Sequence, residues 1–205
     1  MSPHPTLPGE VWRPPMVLSD EAQQWPVRST RRPYDGAFVQ VREDEVCDPT
    51  GDMVTRSVVE HPGAVGIVAL DDDHRVLLLR QYRHAVGRRL LELPAGILDV
   101  DGESSADAAA RELAEETGVT ARQWSPLLEL WPSPGVSSEH WQVFAARGLR
   151  PLSAQARAEL PAAQHEEADL TLVWVPLDEA VRAVLQGRLC DSMAAAGLLA
   201  MAATR

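Results

Sequence analysis

Leu93-Pro94-Ala95-Gly96 leads through a polar stretch into Ser104-Ser105-Ala106-Asp107-Ala108-Ala109-Ala110-Arg111-Glu112-Leu113-Ala114-Glu115-Glu116-Thr117-Gly118-Val119, and this segment decides how the rest of the chain is read. Three consecutive alanines are strong helix formers. Ser104 or Ser105 supplies an N-terminal cap, and Asp107 suits the positive end of a helix dipole. Gly118 falls where a left-handed C-terminal cap belongs. The spacing predicts a helix over 105–117, with a glycine-containing loop before it whose backbone can approach a phosphate closely.

On that helix Glu112 and Glu116 are one turn apart and share a face, with Glu115 at its edge. Like charges so placed destabilise an isolated helix, and a shared divalent cation removes that cost. Carboxylate oxygens with positions left for water and phosphate suit Mg²⁺, with Mn²⁺ as a substitute. An acidic helical face is more often solvated surface. The loop–helix–loop context around these glutamates favours the metal. Arg111, four residues before Glu115, can orient carboxylates while staying charged.

Outward from this segment the chain alternates irregularly between strands and helices. Ala64–Leu70 is an apolar run of strand length, Asp71-Asp72-Asp73 a polar turn, and Val76–Leu79 the next strand. Further strands are expected at Leu127–Trp131, Trp141–Ala145 and Leu170–Val175, and helices at 178–186 and 191–203. This mixture favours α+β, or a mixed-sheet α/β sandwich, over a doubly wound fold. Upstream, Gly36–Glu45 and Val54–Glu60 read as strands joined at the turn Asp48-Pro49-Thr50-Gly51. Residues 1–30 carry Pro3, Pro5, Pro8, Pro14, Pro15 and Pro26 and read as a tail or an extended arm. The expected organisation is therefore 1–30 arm, 31–62 small β unit, and 63–205 main domain.

The 205 residues are 45% hydrophobic, as a globular core requires. The charge balance, 19 basic against 30 acidic residues or −11, disfavours a nucleic-acid partner and leaves an anionic substrate dependent on local arginine or metal. Every basic residue is arginine, which excludes a Schiff-base lysine and a Walker-type phosphate loop. The apolar run Ser192–Thr204 is short and alanine-rich, so a docked helix is expected rather than a membrane span. No signal peptide is expected from the N-terminus. Cys47 and Cys190 lack metal-ligand spacing and read as reduced thiols of a cytoplasmic protein.

The residues Gly96, Glu103, Arg111, Glu112, Glu115, Glu116 and Gly118 resemble the Nudix box, a glycine, a glutamate and then Arg-Glu-x-x-Glu-Glu-x-Gly. One extra residue separates Gly96 from Glu103, placed here in Asp99-Val100-Asp101-Gly102. The resemblance implies an α/β/α Nudix sandwich with a mixed sheet, preceded by the small β unit. It implies Glu112, Glu115 and Glu116 as metal ligands, joined by the backbone carbonyl of Ala95. Arg111 becomes the residue that orients the glutamates, with Glu103 and Gly118 structural in the motif.

Several flanking residues resemble the ADP-ribose and ADP-sugar pyrophosphatase branch of that family. Pro134 sits at the distance past the box where that branch carries a proline, with Ser133 beside it as a substrate contact. Gln81-Tyr82-Arg83 followed by Glu92-Leu93-Pro94-Ala95-Gly96 also resembles the branch, and Arg83 matches an arginine that holds the diphosphate; the alternative for Arg83 is a surface residue at a strand end. The N-terminal β unit resembles one exchanged between the subunits of a homodimer, where Phe38 and Arg56 would face the base, although Phe38 also fits an ordinary core. The catalytic base lies, in that branch, on a later loop, here His165-Glu166-Glu167-Ala168-Asp169. Either Glu166 or Glu167 would deprotonate the attacking water, and the other would touch a metal. The implied reaction is metal-dependent hydrolysis of ADP-ribose, or a related ADP-sugar, to AMP and a sugar phosphate. The alternatives are a pyrophosphatase for another nucleoside diphosphate sugar and a non-catalytic regulator that senses such a nucleotide.

Overall fold

Six consecutive apolar or glycine residues, Ala64–Ala69, form strand β6, and each one is buried. A run buried on both faces needs a layer on either side, and both layers are present. The computed structural model describes residues 2–3, 5–36, 39–160 and 169–204. Val65, Ile67 and Ala69 face helix α1 (Ser105–Thr117), where they pack with Ala108, Ala109, Leu113 and Phe144. Ala64, Val68 and Leu70 face the other way, into a cluster with Leu78, Met193, Leu198 and Met201. Met193, Leu198 and Met201 lie on α4 (Ser192–Ala203), beside α3 (Leu177–Leu185). The result is helix, sheet and helix in layers, with a mixed sheet inside.

That mixed sheet runs β11 (Gln123–Leu130), β12 (Trp141–Arg147), β6, β9 (Ala95–Ile97). Only the β12–β6 pair is parallel. A second, antiparallel sheet runs β14 (Thr171–Pro176), β7 (Arg75–Arg83), β8 (Arg88–Glu92). The architecture is α+β with mixed sheets. The alanine-rich α4 docks on the sheet: a Cβ at Gly197 would stand 2.9 Å from Leu93 Cδ1 and 3.0 Å from Val68 Cγ2. Among the described residues no helix is long and apolar enough to cross a membrane.

The chain divides into two compact units, Met1–Arg31 with Glu43–Arg56, and Arg32–Arg42 with Ser57–Arg205. Strands β3 (Val27–Asp35), β4 (Gln40–Cys47) and β5 (Met53–Glu60) pair in the order β3-β4-β5. Within the first unit, β1 (Ser2–Pro3) pairs with β2 (Glu10–Val11). There too, Thr30 Oγ1 donates to Asp44 Oδ1 at 2.7 Å and Arg31 meets Glu43. The turn after β4 is organised by Asp48, whose Oδ1 accepts from the backbone N–H groups of Thr50 and Asp52, each at 2.9 Å. Gly51 takes φ 91° there, which a residue with a Cβ rarely adopts.

Sequence and structure differ most at β3. Nothing in the pattern announced a strand over Val27–Asp35, because all nine of its residues are exposed and no apolar alternation exists to be read. In the second unit β7 runs past the expected Leu79 to Arg83, and β8 and β9 are added. A short helix, α2 (Ala154–Ala158), and the two-residue pair β10 (Val119–Thr120) and β13 (Arg150–Pro151) complete the elements.

Candidate active site

Helix α1 is held at both ends as its sequence predicts. Ser104 is the N-cap and its hydroxyl accepts from the Asp107 N–H at 3.1 Å. Gly118, at φ 66°, closes the other end and donates its N–H to the Ala114 carbonyl at 2.8 Å. With Ala108, Ala109 and Leu113 turned to the sheet, the helical period leaves Arg111, Glu112, Glu115 and Glu116 half-buried.

Arg111 is the hub of this face. Its Nε and Nη2 donate to Glu103 at 3.0 and 2.9 Å, and its Nη1 to Glu112 at 2.6 Å and Glu115 at 3.2 Å. Glu103 first, and then Glu112, raise the arginine's affinity for its proton and keep it charged. Glu103, hydrogen-bonded to Arg111, is held below the usual carboxylate range. Glu112 moves the other way. Burial pushes its carboxyl up, and the Glu115 and Asp99 charges act in the same direction against the pull of Arg111.

Loop and helix meet at β9. Glu116 Oε2 accepts the Ala95 N–H at 2.9 Å. Gly96 lets the Glu112 carboxylate lie against the strand: a Cβ there would stand 2.0 Å from Glu112 Cδ and 2.2 Å from its Oε1. The box glycine thus makes room for a glutamate of the same box. Antiparallel pairing with β6, Ala95 to Gly66 and Gly96 to Val65, fixes the strand that carries both residues.

Arg83, at the end of β7, is clamped by Glu92 across the β7–β8 hairpin. Its Nε lies 3.0 and 3.1 Å from the two carboxylate oxygens and its Nη2 2.7 Å from Oε2. The Glu92 hydrogen bonds raise the arginine's proton affinity, and the Glu116 and Asp191 charges add to the effect. Glu92 is only 6% exposed, whereas Arg83 keeps an open side. Asp191 caps α4, accepting the Ala194 N–H at 2.7 Å, and burial pushes its carboxyl up. Sequence reading assigned no role to Glu92 or Asp191. The available signal was an acidic residue inside the apolar run Leu90-Leu91-Glu92-Leu93, which has to find a buried partner.

The structure therefore brings together Ala95, Gly96, Glu103, Arg111, Glu112, Glu115 and Glu116, with Arg83 electrostatically coupled to Glu116. Ser133 stands on an exposed turn and its carbonyl accepts from Val136 and Ser137. Arg56, in the other compact unit, is exposed with its guanidinium 6.0 Å from the Trp25 ring. Phe38, Glu166 and Glu167 lie outside the described residues.

The donor set is all oxygen, and it places more negative charge on a half-buried face than Arg111 balances, the environment a hard divalent cation fits. Among the described residues no three acidic groups converge on one point, because Glu112 and Glu115 turn to Arg111 and Glu116 to the Ala95 N–H.

A helix-borne carboxylate face, locked by an arginine and facing a glycine loop at the rim of a mixed-sheet sandwich, defines a class of metal-assisted hydrolase sites. The NUDIX domain family model matches residues 60–192, and the chain belongs to that family. It is 49% identical over 168 residues to an ADP-ribose pyrophosphatase of Mycobacterium tuberculosis, covering 82% of this chain and 78% of that one. It is 35% identical over 178 residues to a CMP-5'-(N-acetyl-N-hydroxy-3-aminopropyl)phosphonate hydrolase of Streptomyces rubellomurinus, covering 87% and 82%. A crystal structure described as an ADP compounds hydrolase shares the fold, with a TM-score of 0.74 at 23% identity over 91% of this chain and 96% of that one.

Proposed function

We propose that this chain is an ADP-ribose pyrophosphatase that uses Mg²⁺, with Mn²⁺ as a substitute, to split ADP-ribose and water into AMP and ribose 5-phosphate. The observation that carries the reading is the box geometry: Arg111 gathers Glu103, Glu112 and Glu115 while Glu116 reaches the Ala95 N–H. The 49% identity to a protein named for this activity supports the substrate.

Each residue has a defined task in this reading. Glu112, Glu115, Glu116 and the Ala95 carbonyl hold the metal, which when bound neutralises charge on the diphosphate and lowers the pKa of a water. Arg83 binds diphosphate oxygens with the open side of its guanidinium while Glu92 keeps the fork oriented. Gly96 admits the phosphate near the β9 backbone. Glu166 or Glu167 takes the proton of the attacking water as general base. Ser133 contacts the sugar side. Phe38 and Arg56, from the residue 31–62 unit exchanged within a homodimer, face the base. The protein works in the cytoplasm on a small nucleotide-sugar, without nucleic acid or membrane partners.

A substrate panel tests this: ADP-ribose, ADP-glucose, GDP-mannose, a CMP conjugate and a nucleoside triphosphate, each with Mg²⁺ or Mn²⁺ and with a chelator. The expected result is metal-dependent release of AMP from ADP-ribose ahead of the others. Glu116→Gln keeps an acceptor for the Ala95 N–H and should lose several orders of magnitude in turnover in a folded protein. Near-normal turnover in that variant would refute the metal assignment, and preference for the CMP conjugate would move the substrate.

A further inference from the structure

Arg80, Arg88, Arg89 and Arg188 surround one cavity of about 460 Å³, outside the carboxylate face. Strand register says which side of the β14-β7-β8 sheet it occupies. Arg80 pairs with Leu91 and Thr171, Tyr82 with Arg89, and Leu78 with Val173. Side chains two apart along a strand share a face, so Arg80, Arg89, Leu91 and Val173 project together. Arg83, Arg88 and Glu92 belong to the opposite face, Arg88 pairing directly with Arg83, so Arg88 borders the cavity only at the strand end. Arg188 arrives from the link between α3 and α4.

The arginines divide between those that meet a carboxylate and those, such as Arg56 and Arg147, that among the described residues meet only neutral groups. Arg75, Arg83, Arg111 and Arg182 each engage at least one carboxylate. At the cavity Arg89 meets Asp169, while Arg188 donates only to the neutral Gln186 oxygen at 2.7 and 3.0 Å. Among the described residues no carboxylate pairs with Arg80, Arg88 or Arg188. In a chain of net charge −11, Arg80 and Arg188 stand at one concavity with no carboxylate partner among the described residues, a local inverse of the whole. Mutual repulsion disfavours the cluster, and an anion relieves it. Planar guanidinium groups bind phosphate oxygens two at a time. The cavity has the size of a small-molecule site, and Leu91 and Val173 give it an apolar floor beneath the charged rim.

We propose that this arginine-walled cavity is a second ligand site, which binds a phosphate monoester carried on a small, partly apolar body of the nucleoside monophosphate kind. The phosphate dianion sits between Arg80 and Arg188, and the body lies on Leu91 and Val173. Binding there needs no metal and falls with ionic strength as charges are screened.

The test is isothermal titration of AMP, with adenosine as the uncharged comparator, into the full-length protein in excess chelator. The wild-type chain should bind AMP, and adenosine at least about tenfold more weakly, as expected when charge-assisted contacts are lost. The Arg80→Ala/Arg188→Ala double variant, which alters exposed side chains only, should lose about tenfold or more in AMP affinity. Its KM for metal-dependent ADP-ribose hydrolysis should stay within about twofold of wild type, because separate sites behave additively. Absence of AMP binding in the wild type, unchanged binding in the double variant, or a KM that rises in step with the lost affinity would each overturn the proposal. The titration reads binding without turnover, so a protein inactive on ADP-ribose would sink the proposed function and leave this test standing.

Discussion

Replacing Gly96 by alanine adds one methyl group at the point where strand and helix touch. That carbon would stand 2.0 Å from Glu112 Cδ, 2.2 Å from Oε1 and 2.4 Å from Cγ. An ordinary contact needs about 3.5 Å or more, so the carboxylate has to withdraw by more than about 1 Å. Gly96 is not among the glycines with positive φ, so alanine fits its backbone and restricts the unfolded chain, a gain of about 0.4–1 kcal/mol. Against this, the Arg111–Glu112 hydrogen bond is disturbed, a loss of about 0.5–1.5 kcal/mol. The two effects nearly cancel, and Tm should move by no more than about 4 °C. Catalysis has no such compensation. If Glu112 holds the metal as proposed, displacing its carboxylate by about 1 Å costs on the order of 100-fold, which should appear in kcat/KM for ADP-ribose with Mg²⁺. Steady-state kinetics beside calorimetry separates the two quantities. Activity within about threefold of wild type would refute the view that Gly96 exists to seat Glu112. A Tm loss above about 8 °C would instead mean that the clash is absorbed by the fold.

Three other outcomes follow from the same geometry. Glu92→Gln keeps one acceptor for Arg83 but removes the charge that orients its fork, so KM for the diphosphate should rise about tenfold with a smaller change in kcat, measured by initial rates. Ser104→Ala removes the N-cap of α1 and should cost about 1 kcal/mol, read by urea or thermal unfolding; no change would mean that Ser105 or water replaces it. Asp191 is a carboxyl held above its usual range by burial, so its contribution to stability is full below the ordinary carboxylate range and is lost as pH rises through its elevated folded value. Asp191→Asn keeps the cap and drops the buried charge, so its Tm relative to wild type should climb between acid and neutral pH; a difference that is flat or falls with pH would count against burial as the cause.

What could be read in advance was whatever is local along the chain. Helix α1 carries its own caps at Ser104 and Gly118, its alanine interior and its shared carboxylate face within one short segment, and the structure reproduces each of them. Strand β6 was legible because burial on both faces writes a continuous apolar run. The turn at Asp48-Pro49-Thr50-Gly51 was legible because its residues supply their own hydrogen bonds and dihedrals. Strand β3 was not, since exposed residues carry no periodic record of their pairing.

The partnerships that give the site its geometry were decided only in three dimensions. Glu92 reaches Arg83 because β7 and β8 pair in one register, and a slip of one residue would send the two side chains to opposite faces. Gly96 seats Glu112 because β9 joins β6 while α1 packs on the same strand. The four arginines around the cavity come from β7, β8 and the α3–α4 link, and only the packing of sheet against helices gathers them. Local sequence sets dihedrals, caps and faces, whose energies are settled within a few residues. Register and layer packing depend on burying surface between distant segments, and that term exists only once the chain has folded.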